Sequence, residues 1–176
     1  MAEPMLHTLA PIAARIGDIL LDRRQTIAVA DGATGGLILA GLLTRSGATR
    51  FCRGGGVVYS LRGRDILLGL PREELAGYES VTEDYARVQA EAIRANFRAD
   101  WGIAESGAAG PEPHPRGAPA GRTCIAVSGP DLTVSITVDT GLTDRIDNMG
   151  AFTQAALTFL RDTLENASAP VADQPT

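Results

Sequence analysis

Residues 25–36 read Gln25-Thr26-Ile27-Ala28-Val29-Ala30-Asp31-Gly32-Ala33-Thr34-Gly35-Gly36. The first six form a short, β-branched apolar run, the signature of a buried strand. Asp31 to Gly36 reads as a turn, and Leu37 to Thr44 resumes a helical pattern. Strand, glycine-rich turn and helix together aim backbone N–H groups and a helix start at a ligand. By itself this unit is common in α/β domains.

Upstream, Leu9, Ile12, Ala13, Ile16, Ile19 and Leu20 recur at helical spacing, which predicts a first helix from about Thr8 to Arg24. Downstream, Phe51 to Ser60 is the next strand candidate. Its Gly54-Gly55-Gly56 run suggests a bulge or a close backbone approach, or else a flexible edge. Arg64 to Leu68 predicts a short helix closed by Gly69, with Pro71 beyond it. Pro71 to Leu75 begins another short turn or helix. Thr82 is a plausible N-cap for a strong helix whose Tyr85, Val88, Ala92, Ile93 and Phe97 share one face. Trp101 to Ala104 predicts a short strand, followed by a second glycine-rich turn, Ser106-Gly107-Ala108-Ala109-Gly110-Pro111. Glu112 to Gly121 is a polar loop, expected to be exposed or mobile. Thr123 to Ser128 and Leu132 to Thr140 form a hairpin turning at Gly129-Pro130-Asp131. A last helix runs from about Asp144 to Asn166, with Ala155, Ala156, Phe159, Leu160 and Leu164 inward.

Alternating helices and strands with a late hairpin predict an α/β fold, a three-layer α/β/α arrangement around a mixed sheet. One domain over residues 1–167 is expected, with 168–176 as a disordered tail. The 176 residues, 44% hydrophobic and 21% charged, suffice for one real core. The net charge of -5 argues against a nucleic-acid partner. No apolar run approaches the ~18 residues of a membrane span, so no membrane partner is expected. Met1 to Pro11 carries no basic-then-apolar leader pattern, and the cytoplasm is the default expectation. Cys52 and Cys124 read as buried thiols, and His7 with His114 lacks the spacing of a metal site. No cofactor is implied. Self-association is compatible with the sequence but is not legible in it.

Several motifs now stand in one order. Ala30-Asp31-Gly32-Ala33-Thr34-Gly35-Gly36 comes first, then Gly55-Gly56-Val57-Val58-Tyr59-Ser60, Leu68-Gly69-Leu70, Ser80-Val81-Thr82, and Ser106-Gly107-Ala108-Ala109-Gly110-Pro111. Together they resemble the CinA C-terminal family, the nicotinamide-nucleotide amidohydrolases. The resemblance runs from the first helix to the last. It implies a pocket for a pyridine nucleotide and hydrolysis of its carboxamide to the acid and ammonia. In the family a serine follows Ala-Glu in the first turn and acts as nucleophile, assisted by a tyrosine and a lysine of the second motif. Such a serine needs a base, and a desolvated lysine can serve. Backbone N–H groups at a helix start can stabilise the oxyanion.

This chain departs from that pattern where the chemistry would occur. The nucleophile position is Gly32, and the glutamate before it is replaced by Asp31. The lysine position is Arg64, a poor base because it stays protonated. Tyr59 is kept, while the asparagine that follows Tyr-Ser in the family is Leu61. The resemblance implies ligand contacts from Ala33, Thr34, Gly35, Gly36, Ser106, Gly107, Ala108 and Gly110. Ala104-Glu105-Ser106-Gly107 imitates the nucleophile motif, but its surroundings match the second glycine turn, leaving Ser106 as a remote alternative nucleophile.

Three readings remain open at this stage. The chain is a catalytically degenerate member that keeps a nucleotide pocket, with Arg64 as a phosphate or carboxylate anchor. Or it is an enzyme with altered chemistry, in which Asp31 activates water and Tyr59 orients substrate. Or it is an interaction module with a vestigial site. For Asp31 the competing role is that of a turn or N-cap residue, and for Arg64 that of an exposed helix charge.

Overall fold

A computed structural model describes residues 5–167. The run read first is strand β1, Ile27–Asp31, buried at every position. It is an interior strand, second from one edge: the other strands are β2 (Cys52–Val57), β3 (Trp101–Ala108), β4 (Arg122–Gly129) and β5 (Leu132–Asp139), in the order β2-β1-β3-β4-β5. β1 runs parallel to both β2 and β3, while β4 and β5 are antiparallel to their predecessors. This is the expected α/β architecture with a mixed sheet.

Alternation along the strands sorts the two faces by size. Ile27, Val29, Ile103, Ile125 and Val127 point to one side. There they meet α1 (Met5–Asp22), α2 (Leu37–Leu43) and α5 (Arg145–Asn166). Ala28, Ala30, Ala104, Cys124 and Ala126 point to the other, under α4 (Glu83–Asn96). The small residues let α4 lie close to the sheet. At Gly102 a Cβ would collide with the carbonyl of Ala90. α3 (Leu61–Leu68) joins α4 on this side. Thr82 caps α4 by accepting from the amide of Tyr85, and Gly69, at φ 61°, closes α3.

The triple glycine resolves as both a bulge and a close approach. The register steps from Ile27↔Cys52 to Ala28↔Gly54, leaving Arg53 unpaired. A side chain at Gly55 would run into the carbonyl of Val29. The hairpin turns at Pro130-Asp131, with Asp131 at φ 61°. β5 is amphipathic across the sheet: Val134, Ile136 and Val138 pack on the large-residue core, while Ser135 and Thr137 donate to Glu83 of α4.

Some boundaries moved. α1 begins at Met5 and β1 at Ile27, while α3 starts at Leu61 because Ser60 caps it through the amide of Gly63. The larger correction is β3, which continues through Ser106-Gly107-Ala108. β4 pairs with it as far as Ala108↔Arg122, and this unbroken ladder outweighs the local turn signal of the glycines. The glycine turn therefore reduces to Ala109-Gly110-Pro111. In α5, Phe152 and Leu157 join Ala156, Leu160 and Leu164 in the core, and Ala155 and Phe159 are only partly buried. The tail expected over 168–176 lies outside the described residues. Among the described residues no helix is long and apolar enough to cross a membrane.

Candidate functional site

The carboxyl ends of the parallel strands β1 and β3, with the turns that leave them, frame a cavity of about 240 Å³. Such sites arise where neighbouring parallel strands lead to opposite layers, as β1 does into α2 and β2 into α3. Its walls include Gly32, Ala33, Tyr59, Arg64, Ser106 and Gly107. Val58, Ser80, Gln89, Glu105, His114 and Pro115 complete it.

Asp31 ends β1 and is fully buried. Its carboxylate accepts from the amides of Ile38 (3.0 Å) and Leu39 (3.2 Å), at the start of α2. It also accepts from the hydroxyl of Thr34 at 2.8 Å. The side chain thus closes the turn and satisfies the orphan donors of a helix start. Burial pushes its pKa up, opposed by those hydrogen bonds. Asp31 faces the helix and is sealed from the cavity.

Thr34 has a second carboxyl partner. Glu105 Oε2 lies 3.1 Å from its hydroxyl and 3.0 Å from its amide. Thr123 donates to the other oxygen of Glu105. Glu105 is fully buried, and burial pushes its pKa up, assisted by the charge of Asp31. Gly107 leaves the space that this side chain fills.

Gly32 stands against the same residue. A Cβ built there would overlap the backbone carbonyl of Glu105 and lie 3.1 Å from Glu105 Oε2. The turn sits so close to β3 that only glycine fits without a backbone shift. Gly35 (φ 65°) and Gly36 (φ 98°) then turn the chain into α2 through left-handed conformations.

Tyr59 is 65% exposed at the mouth, and its hydroxyl accepts from Arg145 at 3.1 Å. Arg145 also donates to the carbonyl of Gly110, so it ties the mouth to the second turn. Asn148 holds that turn from below by donating to the carbonyl of Ala109. Arg64 is half-buried, with its guanidinium carbon 5.1 Å from the centre of the Tyr85 ring. Among the described residues its buried Nε has no hydrogen-bond partner. Ser106 is nearly buried and its hydroxyl accepts from the amide of Val81 at 3.1 Å, joining β3 to the segment before α4. His114 Nδ1 accepts from the amide of Arg116. Burial, Arg116 and Arg64, in that order, hold the imidazole below its ordinary pKa.

Of the residues read from sequence, Gly32, Ala33, Tyr59, Arg64, Ser106 and Gly107 meet at this cavity. Asp31 and Thr34 lie beneath the turn, and Gly35, Gly36, Ala108 and Gly110 shape the backbone around it without lining it. Ser80, Gln89, Glu105 and His114 were not assigned to the site from sequence. The His114 loop carried only a polar composition, and Glu105 stood inside a motif that imitates another.

Comparison with known proteins adds the family. The model of the CinA C-terminal domain matches residues 9–164. A CinA-like protein of Gloeobacter violaceus is 32% identical over 88% of this chain, covering 37% of its own length. One from Syntrophus aciditrophicus is 36% identical over 88% of this chain and 37% of its own length. The chain thus spans well under half the length of these curated relatives. Among solved structures, a competence-damaged protein (CinA) superfamily protein from Enterobacter cloacae superposes with a TM-score of 0.82 at 29% identity. That match covers 89% of this chain and 92% of the other. The competence damage-inducible protein A (ComA) of Klebsiella pneumoniae gives 0.84 at 26% identity, over 91% and 99%.

Proposed function

The chain belongs to the CinA C-terminal domain family, and from that premise we propose that it binds a pyridine nucleotide or a related nucleotide-type anion without hydrolysing its amide. The observation that carries this reading is the contact at Gly32. The position that corresponds to the nucleophilic serine has no side chain, and the carbonyl of Glu105 fills the space a Cβ would need. Arg64, at the lysine position, stays charged and cannot take a proton from a nucleophile. In serine hydrolases, loss of the nucleophile and its base leaves only about 10³–10⁴-fold catalysis over water, from binding and oxyanion donors.

What is kept is suited to binding. Arg64 lines the cavity with a guanidinium that forms no ion pair among the described residues. The burial of Asp31 under α2 argues against water activation by that carboxylate. The cavity itself, framed by Tyr59, Ser106 and His114, argues against a merely vestigial site.

Thermal unfolding in the presence of nicotinamide mononucleotide tests the reading. A binding site raises the unfolding free energy by about 2.7 kcal/mol at a hundredfold excess over Kd. The gain should vanish in Arg64→Ala. A melting curve unmoved by saturating nucleotide would refute the reading.

A further inference from the structure

A second, larger cavity of about 410 Å³ adjoins the first. Ser80 lines both. The wall between them is also shared along the chain, with His114 and Pro115 on the inner side and Arg116 on the outer. Arg64 lines the inner cavity and lies over the ring of Tyr85, which lines the outer. The two cavities therefore adjoin at Ser80, the residue they share, which forms a waist between them.

Positive charge gathers at that waist. Arg64 and Arg116 both act on His114, so the three cationic or ionisable groups stand within electrostatic reach of one another. Among the described residues neither arginine forms an ion pair with a carboxylate. In a chain of net charge -5, an unneutralised basic cluster at a constriction marks where an anion sits. On either side of it the groove is less charged. The inner end is formed by the turn at Gly32 and by Glu105, Ser106 and Gly107, with Glu105 the one carboxyl residue among them. The outer end offers Leu75, Ala76 and the half-exposed ring of Tyr78, with Arg72 and one acidic residue, Glu73.

Size points the same way. Pockets that hold drug-sized ligands measure about 300–1,000 Å³, and the inner cavity alone falls below that range. With the outer cavity the groove falls inside it.

We propose that the groove takes a ligand whose anionic centre is flanked by two ring systems, that is, a pyrophosphate-bridged dinucleotide with its pyrophosphate at the Ser80 waist and its second base against Tyr78. A mononucleotide carries its anion at one end and would leave the outer cavity empty. This inference rests on the nucleotide-binding reading above and specifies the ligand class of that site.

Titration calorimetry with nicotinamide adenine dinucleotide and with nicotinamide mononucleotide, on the full chain, tests it. We expect the dinucleotide to bind at least about tenfold tighter, since the second base adds buried contacts on a site already formed. Tyr78→Ala should cut that advantage to about threefold or less while changing mononucleotide affinity less than about twofold, because a stacked aromatic anchor is removed only from the outer cavity. Arg64→Ala should weaken both probes. Equal affinity for the two probes, or an advantage that survives Tyr78→Ala, would overturn the dinucleotide assignment and leave nucleotide binding standing. Failure of both probes to bind would overturn the two together.

Discussion

The hydroxyl of Thr34 lies 2.8 Å from Asp31 Oδ1 and 3.1 Å from Glu105 Oε2, so one proton faces two buried carboxyl groups. Thr34 directs this proton to Asp31 and Glu105 together, and its amide donates to Glu105 Oε2 as well. Asp31 has further amide donors from α2, and Glu105 is the group whose burial and neighbouring charge both favour the neutral form. The chain of hydrogen bonds joins β1, the glycine turn and β3 directly beneath the candidate site.

Thr34→Val should therefore destabilise the fold by about 1–3 kcal/mol, because two buried carboxyl groups lose their shared partner. Thr34→Ser keeps the hydroxyl and should lose much less. Urea unfolding at neutral pH measures both. Equal losses in the two variants would show that the methyl group, not the hydroxyl, matters.

Glu105 also sets a pH dependence with a definite sign. Its folded pKa lies above its unfolded value, so the folded state holds the proton longer as pH rises. Its contribution is full below the ordinary glutamate pKa of about 4.3 and is lost as pH climbs through the raised folded value. Glu83 and Asp139, both held low by hydrogen bonds, act in the opposite sense: their contribution is present above the ordinary carboxylate range and is lost on acidification. The difference between wild type and Glu105→Gln isolates the first effect. The variant should gain stability relative to wild type as pH rises above that range, and parallel profiles would contradict a raised folded pKa for Glu105.

At Gly32 the serine side chain cannot be reinstated simply. Gly32→Ser, alone or with Arg64→Lys, should destabilise the fold by about 1–3 kcal/mol through overpacking against β3. Neither variant should release ammonia from nicotinamide mononucleotide. Amidase activity in the double variant at unchanged stability would mean that the turn accommodates serine after all.

Gly55 is a second position of this kind, but purely structural. Gly55→Ala drives a methyl group into the carbonyl of Val29 and should cost about 3 kcal/mol or more, or detach β2 from the sheet. Gly117→Ala, where a Cβ meets nothing within 4 Å, should cost only about 1 kcal/mol for its positive φ. Circular dichroism melts compare the two.

The sequence carried the layers of this fold well, because the strand and helix periods are strong and the caps at Thr82 and Gly69 are local signals. The length of β3 was hidden by Gly107. That glycine is present for the carboxyl group of Glu105 packed beside it, a contact that only the folded sheet creates. The motif-bearing half of the site was visible as Gly32, Tyr59, Arg64 and Ser106. Arg145, which holds Tyr59 to the second turn, comes from a helix more than eighty residues away and had no local signature. The outer cavity was less legible, since apart from Leu61 of α3 and Tyr85 of α4 its residues lie in the irregular segment 72–80 and at Arg116, whose composition says only that they are loops.

The most direct test of the account is ammonia release from nicotinamide mononucleotide by the purified protein at high enzyme concentration. The account expects no release above the substrate-only control. Clear turnover would contradict it, and its loss in Ser106→Ala would move the nucleophile to the Ser106 hydroxyl, which lines the cavity next to Glu105.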